Sequence, residues 1–306
     1  MTPRLTHAFT LVSILHDLAI RRCGWAIRRL GAGWDLAFAS WRLIRAHRRL
    51  LILPCISLSA WVAVAAIILG PLGGLSRLGH GNWSVGIAIA MVVFSFPLSL
   101  VGTFFGVAFV SQAAALVDGH PASVRRGLAV AWSRRDAIAW WALVSSVVGT
   151  AIQWISRLPG GDALAGLLER VLSAAWALAT VFALPVLALE GSTPVDTVRR
   201  SVAVLRARWG EDIGGALATG VMGMITIGVP AAIAAAGYGL TRLHHAVAGS
   251  VLLGCGLVML AVGWVLQSAI DDLFTLVLYR HATGAVLPAG FNDADVQAGL
   301  RISTKD

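Results

Sequence analysis

Three observations predict an all-α membrane fold of six transmembrane helices. The helices form three parallel two-helix repeats, each preceded by a basic amphipathic interfacial helix. Hydrophobic residues make up 58% of the 306 positions and charged residues 13%, against about 25% charged in an ordinary globular protein. A soluble fold of this length needs more polar surface than that. Charge is also confined to a few segments, which leaves apolar runs matching the roughly 20 helical residues that cross a bilayer. Finally, the octets SVRRGLAV (123–130) and TVRRSVAV (197–204) share five identical positions, and each precedes a long apolar stretch.

Residues 8–15 are apolar but short, and His7, His16 and Asp17 bracket them. No small-x-small cleavage site follows. An interfacial helix with Leu5, Phe9, Val12 and Trp25 toward lipid is therefore expected rather than a cleaved signal peptide. Spans are predicted over residues 50–70, 85–117, 137–155, 167–189, 213–236 and 248–281. The second and sixth are too long for one crossing, since thirty-three helical residues reach roughly 50 Å and the hydrocarbon is about 30 Å thick. They must tilt, kink (Pro97 is the candidate in the second) or project beyond the bilayer.

Basic residues orient the spans. Twenty of the 24 lie before the first span, in the 2–3 and 4–5 loops, or after the sixth span. Only Arg77, Arg157, Arg170 and Arg242 lie opposite. The positive-inside rule then places both termini in the cytoplasm. The net charge of +9 is explained by these flanking arginines. Each gains about 1 kcal/mol beside an anionic leaflet, so no nucleic-acid partner is expected.

The repeat extends beyond the octets. Asp118 and Gly119 precede Pro121, and Glu190 and Gly191 precede Pro194. The glycines suit a left-handed helix end and the prolines the first turn of the next helix. Thr193 and Asp196 have capping-box spacing. The sixth span echoes the pattern, because Phe274 precedes Gly284 as Phe109 precedes Gly119, and Pro288 follows. A more diverged copy occupies residues 40–49, with Arg42, Arg45 and Arg49 on one face and Leu36, Leu43 and Leu50 on another. Val198, Val202, Leu205 and Trp209 form an apolar stripe in the last copy. The expected organisation is an N-terminal interfacial segment (1–32), a membrane domain (33–282) of repeats near 33–118, 119–190 and 191–282, and a cytoplasmic tail (283–306). The copies can surround a pseudo-threefold axis along the membrane normal.

GWDLAFASWRLIRAHRRLLILP, SVAVLRARWG and LYRHATGAVLPAGF together resemble a family of bacterial six-span membrane proteins of unknown function. In that family a basic helix containing tryptophan and serine leads into the first span through a Leu-Pro step. A tyrosine–alanine–glycine–proline–phenylalanine ending follows the last span. The likeness runs from near Gly33 to Leu300, and His281 departs from it where a tyrosine is common. The resemblance implies the architecture and carries no activity; the expected location is the bacterial inner membrane.

Asp271 and Asp272 lie in the longest apolar helix, where ionisable groups are costly and often functional. Residues 248–270 already span about 34 Å, so the pair should reach the cytoplasmic interface. There, pairing with Arg125, Arg126, Arg199 and Arg200 of the VRR segments would lock the units together. A proton- or cation-coupled site and plain solvation are the alternatives. Glu211 and Asp212 suit a helix N-terminus. His244 and His245 have no further ligand at metal spacing, and Cys23, Cys55 and Cys255 form no CxxC. The GxxxG matches at Gly102 and Gly210 are expected by chance among 33 glycines. No HExxH, paired-carboxylate segment or nucleophile–base set is present, so no enzyme and no cofactor is expected.

These features favour a non-catalytic scaffold or accessory subunit. Its basic cytoplasmic helices would contact anionic lipid headgroups or a membrane or cytoplasmic protein partner. The alternative is a transporter or channel for a small solute or lipid, with Pro97, Pro185 and Pro230 shaping a cavity that reaches Gln112, Gln153 or Asp271. Against it stands the absence of an inverted repeat or clearly broken helices.

Overall fold

Inside a bilayer each backbone amide must find its partner within the chain, so apolar runs of this length fold as helices. The computed structural model describes residues 42, 44–45, 47–75, 85–155, 162–209, 223–243 and 245–285, and among them every regular element is helical. A 3₁₀ turn at Arg48–Leu51 leads into α1 (Ile52–Leu75). There follow α2 (Val85–Val117), α3 (Val124–Ser133), α4 (Arg135–Ile155), α5 (Asp162–Ala179) and α6 (Ala183–Leu189). The order closes with α7 (Pro194–Trp209), a π-turn at Met224–Gly228 continuing into α8 (Val229–Arg242), and α9 (Ala246–Thr283).

Among the described residues six stretches are long and apolar enough to cross a membrane: Arg49–Ile68, Ala90–Val117, Arg135–Ile155, Leu164–Leu189, Met224–Arg242 and Ala246–Thr283. The chain is thus an all-helical multi-pass membrane protein. Residues 8–15, Glu211, Asp212, Gly210 and Pro288 lie outside the described residues.

The prolines act differently from one another. Helix α2 runs unbroken through Pro97. The fourth span, expected to be continuous, divides at residues 180–182 into α5 and α6. Pro185 supplies the cause, because it lacks an N–H and its ring crowds the carbonyl four residues back, at Val181. Ser201 of α7 accepts a hydrogen bond from the freed Phe182 amide at 3.2 Å. In the fifth span Pro230 likewise releases the carbonyl of Thr226, and the π-turn forms around that residue.

Spans 2, 4 and 6 end alike. Gly119, Gly191 and Gly284 have φ of 80°, 67° and 73°, the left-handed region that glycine enters without a steric cost. Backbone closures accompany them, including His120 N–H to the Ala115 carbonyl and Ala285 N–H to the Arg280 carbonyl, each at 2.9 Å. Short amphipathic helices α3 and α7 follow the first two of these ends.

The core is concentrated at the arginine-rich end. It joins Val107, Phe109 and Val110 of α2, Phe182, Val186 and Leu187 around α6, and Ile270 to Tyr279 of α9. Ile44, Leu50, Leu53, Ala131, Ile138 and Val204 complete it. Farther away, apolar side chains such as Ile67, Leu164 and Val247 point outward, as they do when lipid is the solvent. There α8 and α9 approach closely along Gly249, Gly256 and Gly263, which recur every seven residues. A Cβ at Gly256 would lie 2.5 Å from the Ala234 amide nitrogen, so only glycine fits.

Candidate functional site

The polar groups of the arginine-rich end divide into an exposed basic surface and a set of internal clamps. Ser123 caps α3 by accepting from the Arg126 amide at 3.4 Å. This points Gly127 and Ala131 inward and Arg125, Arg126 and Trp132 outward. Pro121 stands before this helix and not in its first turn. Gly127 lets α3 rest on α2, since a Cβ there would lie 2.5 Å from the Ala108 carbonyl oxygen. Trp132 is 63% exposed, packs edge-on against Phe104 and carries the Arg135 guanidinium 5.7 Å from its ring.

The second octet is set one turn deeper in its helix. Thr193 and Asp196 form the expected capping box, with the Thr193 hydroxyl 2.6 Å from the Asp196 carboxylate. Thr197, the counterpart of the capping Ser123, is consequently buried inside α7. Ser201, the counterpart of Gly127, supports the break in the fourth span.

Three clamps tie the ends of the spans together. Arg280 grips Asp118 with both terminal nitrogens, at 2.7 and 3.0 Å, and reaches the Ala114 carbonyl at 3.2 Å. Its side chain is 8% exposed against 50% for Asp118. The hydrogen bond from Arg280 outweighs the opposing effect of burial and holds the Asp118 carboxyl below its ordinary 3.8. One Glu190 oxygen accepts from both Arg200 Nε, at 3.0 Å, and the Tyr279 hydroxyl. That hydrogen bond raises the Arg200 pKa. Arg134 donates to the carbonyls of Leu187 and Leu189 at 2.6 and 3.2 Å, closing α6, and burial lowers its pKa. Adjacent residues of α9, Tyr279 and Arg280, thereby hold the ends of spans 4 and 2.

This corrects the expected pairing. Neither Asp271 nor Asp272 meets Arg125, Arg126, Arg199 or Arg200; Arg200 binds Glu190, and Arg199 lies 3.8 Å from Asp196 on an exposed surface. Asp271 instead accepts from Gln267 Nε2 at 2.9 Å, and Gln267 Oε1 accepts from the Thr226 hydroxyl at 2.9 Å. Asp272 has no hydrogen bond or ion pair among the described residues. The depth of the pair follows from Trp61 and Trp264, whose rings lie 6.3 Å apart on antiparallel α1 and α9. Asp271 is seven residues beyond Trp264, about 10 Å, and so stands near the level of Pro54, close to Arg49 at the start of the first span. The aspartates therefore stand toward the arginine-rich end of α9, level with the start of the first span.

Sequence reasoning marked Asp118 and Glu190 only as helix-end punctuation and missed their partners. Their recurrence before glycine was the available signal. Sequence reasoning placed Gln112 beside a transport cavity; it is buried against α3 with neither amide atom hydrogen-bonded among the described residues. A cleft of about 340 Å³ opens between spans 2, 3 and 4, where Ser99, Thr103, Ser145 and Thr180 face the stacked rings of Trp141 and Trp176. Gln112, Gln153 and Asp271 are not among the residues lining this cleft.

No curated protein and no solved structure matches the chain. A family model does match, over residues 85–287, which takes in spans 2 to 6, both octets and all three clamps but not the Trp/Ser basic helix before the first span. That match covers most of the chain, and the protein belongs to the family of unknown function DUF6159.

Proposed function

We propose that the protein is a non-catalytic scaffold or accessory subunit of the bacterial inner membrane, with both termini cytoplasmic and anionic lipid held at its cytoplasmic face. One observation carries this reading: Asp118 and Glu190 at that face are engaged internally, while Arg125 and Arg126 point outward. Asp118 and Glu190 are occupied by Arg280, Arg200 and Tyr279. Arg125 and Arg126 are exposed on α3 without an acidic partner among the described residues, on the same surface as Trp132. Arginine beside exposed tryptophan suits the headgroup boundary, where an amphipathic helix lies flat. The left-handed glycines closing spans 2, 4 and 6 support three parallel units, each an interfacial helix with two spans.

The test is lipid retention by purified protein in mixed nanodiscs. Replacing Arg125, Arg126 and Arg199 by Glu should reduce phosphatidylglycerol or cardiolipin enrichment by about tenfold or more, at about 1 kcal/mol per basic residue. Undiminished enrichment in a stably inserted variant would sink the idea, and loss of a co-purifying protein in place of lipid would point to a protein partner.

A second reading, passage of a small solute or lipid, is favoured by the break at residues 180–182 and the π-turn at Met224–Gly228. Interrupted helices are a recurrent feature of transporter binding sites. Under that reading Asp271→Asn abolishes flux in proteoliposomes while the protein remains folded. Under the scaffold reading no flux is present to lose.

A further inference from the structure

We propose that the cleft between spans 2, 3 and 4 binds an uncharged amphiphile whose head carries carbonyl or hydroxyl oxygens, such as the glycerol end of a diacylglycerol or the ring of a lipid quinone. The site is separate from the arginine surface and does not depend on it.

The hydroxyls give the strongest argument. A serine or threonine in a membrane helix ordinarily donates to a carbonyl one turn back. Ser95, Ser111, Ser146 and Thr180 do so, at 3.3, 2.7, 2.8 and 2.8 Å. Ser99, Thr103 and Ser145, all lining the cleft, make no hydrogen bond to the protein among the described residues. Ser99 and Thr103 are one turn apart on α2, and Ser145 comes from α4. Donors on two helices therefore converge on a space of about 340 Å³ with their capacity unspent.

Charge and depth define the ligand class. No charged side chain lines the cleft, so an ionised head would be left there without a counter-charge in a medium of low dielectric. Trp141 and Ser145 are six and ten residues beyond Arg135, about 9 and 15 Å along the helix. That depth lies below phosphate headgroups, where a neutral lipid head can settle. Trp141 and Trp176 stack with ring centroids 6.2 Å apart and planes 12° apart, forming a flat aromatic wall. Such a wall accepts a ring or the carbon face of a polyol. The division of span 4 beside Thr180 keeps this side of the cleft from being filled by a straight helix.

Photo-crosslinking in phosphatidylcholine nanodiscs tests the proposal, with one diazirine-bearing tail on three heads: glycerol, a short-chain quinone and phosphatidylglycerol. At least one neutral probe should label the segments carrying Thr103, Ser145 and Thr180, and the unlabelled form of that head should compete. Which neutral probe labels identifies the source. Thr103→Val and Ser145→Ala should each weaken competition about fivefold, as for loss of one hydrogen bond. Gly102→Leu adds a side chain where a Cβ meets nothing within 4 Å. It should abolish labelling without lowering thermal stability. Equal labelling by the phosphatidylglycerol probe, absence of labelling by both neutral probes, or full labelling of folded Gly102→Leu would each overturn the proposal.

Discussion

Arg280 shows how one side chain can decide the state of several others. It is buried, its two terminal nitrogens hold Asp118, and that carboxylate is half exposed. Asp118→Ala would remove the carboxylate held by both terminal nitrogens of this buried guanidinium. The cost should be about 2 kcal/mol, below that of a fully buried pair because solvent already screens one partner. Thermal unfolding in detergent measures it, and Arg280→Lys should recover less than half, since an ammonium cannot make the two-pronged contact. The contribution is also pH-dependent. The folded carboxyl has the lower pKa, so its stabilisation is complete above the ordinary 3.8 and fades as pH falls through that value and the lower folded one. Asp118→Asn should flatten this acid limb. Glu190 is engaged from two elements, by Arg200 and Tyr279. Sequence shows that an acid precedes Gly119 and Gly191, but the partner of Asp118 lies 162 positions away. Only folding brings them together.

At the scale of elements, the two octets have one pattern and two uses. In α3 the fifth octet position is Gly127, and its missing side chain allows contact with the Ala108 carbonyl. In α7 the same position is Ser201, whose hydroxyl receives the Phe182 amide at the break in span 4. Ser201→Ala should destabilise the protein by about 1–2 kcal/mol by leaving that buried amide unpaired. Hydrogen exchange should then rise locally at Phe182 and Ala183, whereas a uniform rise would contradict the assignment. The break was foreseeable from Pro185, whereas Pro97 shows that proline in a span is not sufficient by itself. The α8–α9 pair illustrates a different limit. In the GxxxG match expected by chance at Gly102, a Cβ on the first glycine would meet nothing within 4 Å and one on Gly106 would meet only the Leu184 side chain, at 3.1 Å. The glycines that permit close packing recur every seven residues instead. Gly256→Leu should cost about 3 kcal/mol or prevent assembly of the hairpin, read as lost thermal stability, because the opposing atoms are backbone and cannot move aside.

At the scale of the whole molecule, packing is graded along the membrane normal. The arginine-rich half has a continuous core covered by α3 and α7, and the opposite half presents apolar side chains outward. If that half faces the periplasm, a cysteine at His245, in the α8–α9 connection, should react with an impermeant maleimide added to intact cells. This is to be measured in a background lacking the native cysteines. Reaction only after the inner face is opened would reverse the topology. Composition and the length of the apolar runs were enough to determine six spans and to collect the arginines at one end. Both follow from the energetics of moving residues between water and hydrocarbon, which act on each segment separately. The glycine-closed helix ends and the Thr193 capping box were legible for the same reason, since they depend on neighbours in the chain. Tertiary structure alone decided that Asp118 and Glu190, and not Asp271 and Asp272, meet arginines, and that Ser99, Thr103 and Ser145 share one cleft. Those outcomes depend on helix rotation and relative height, which a uniformly apolar surface leaves almost unmarked in sequence, because lipid and protein interior are alike to leucine.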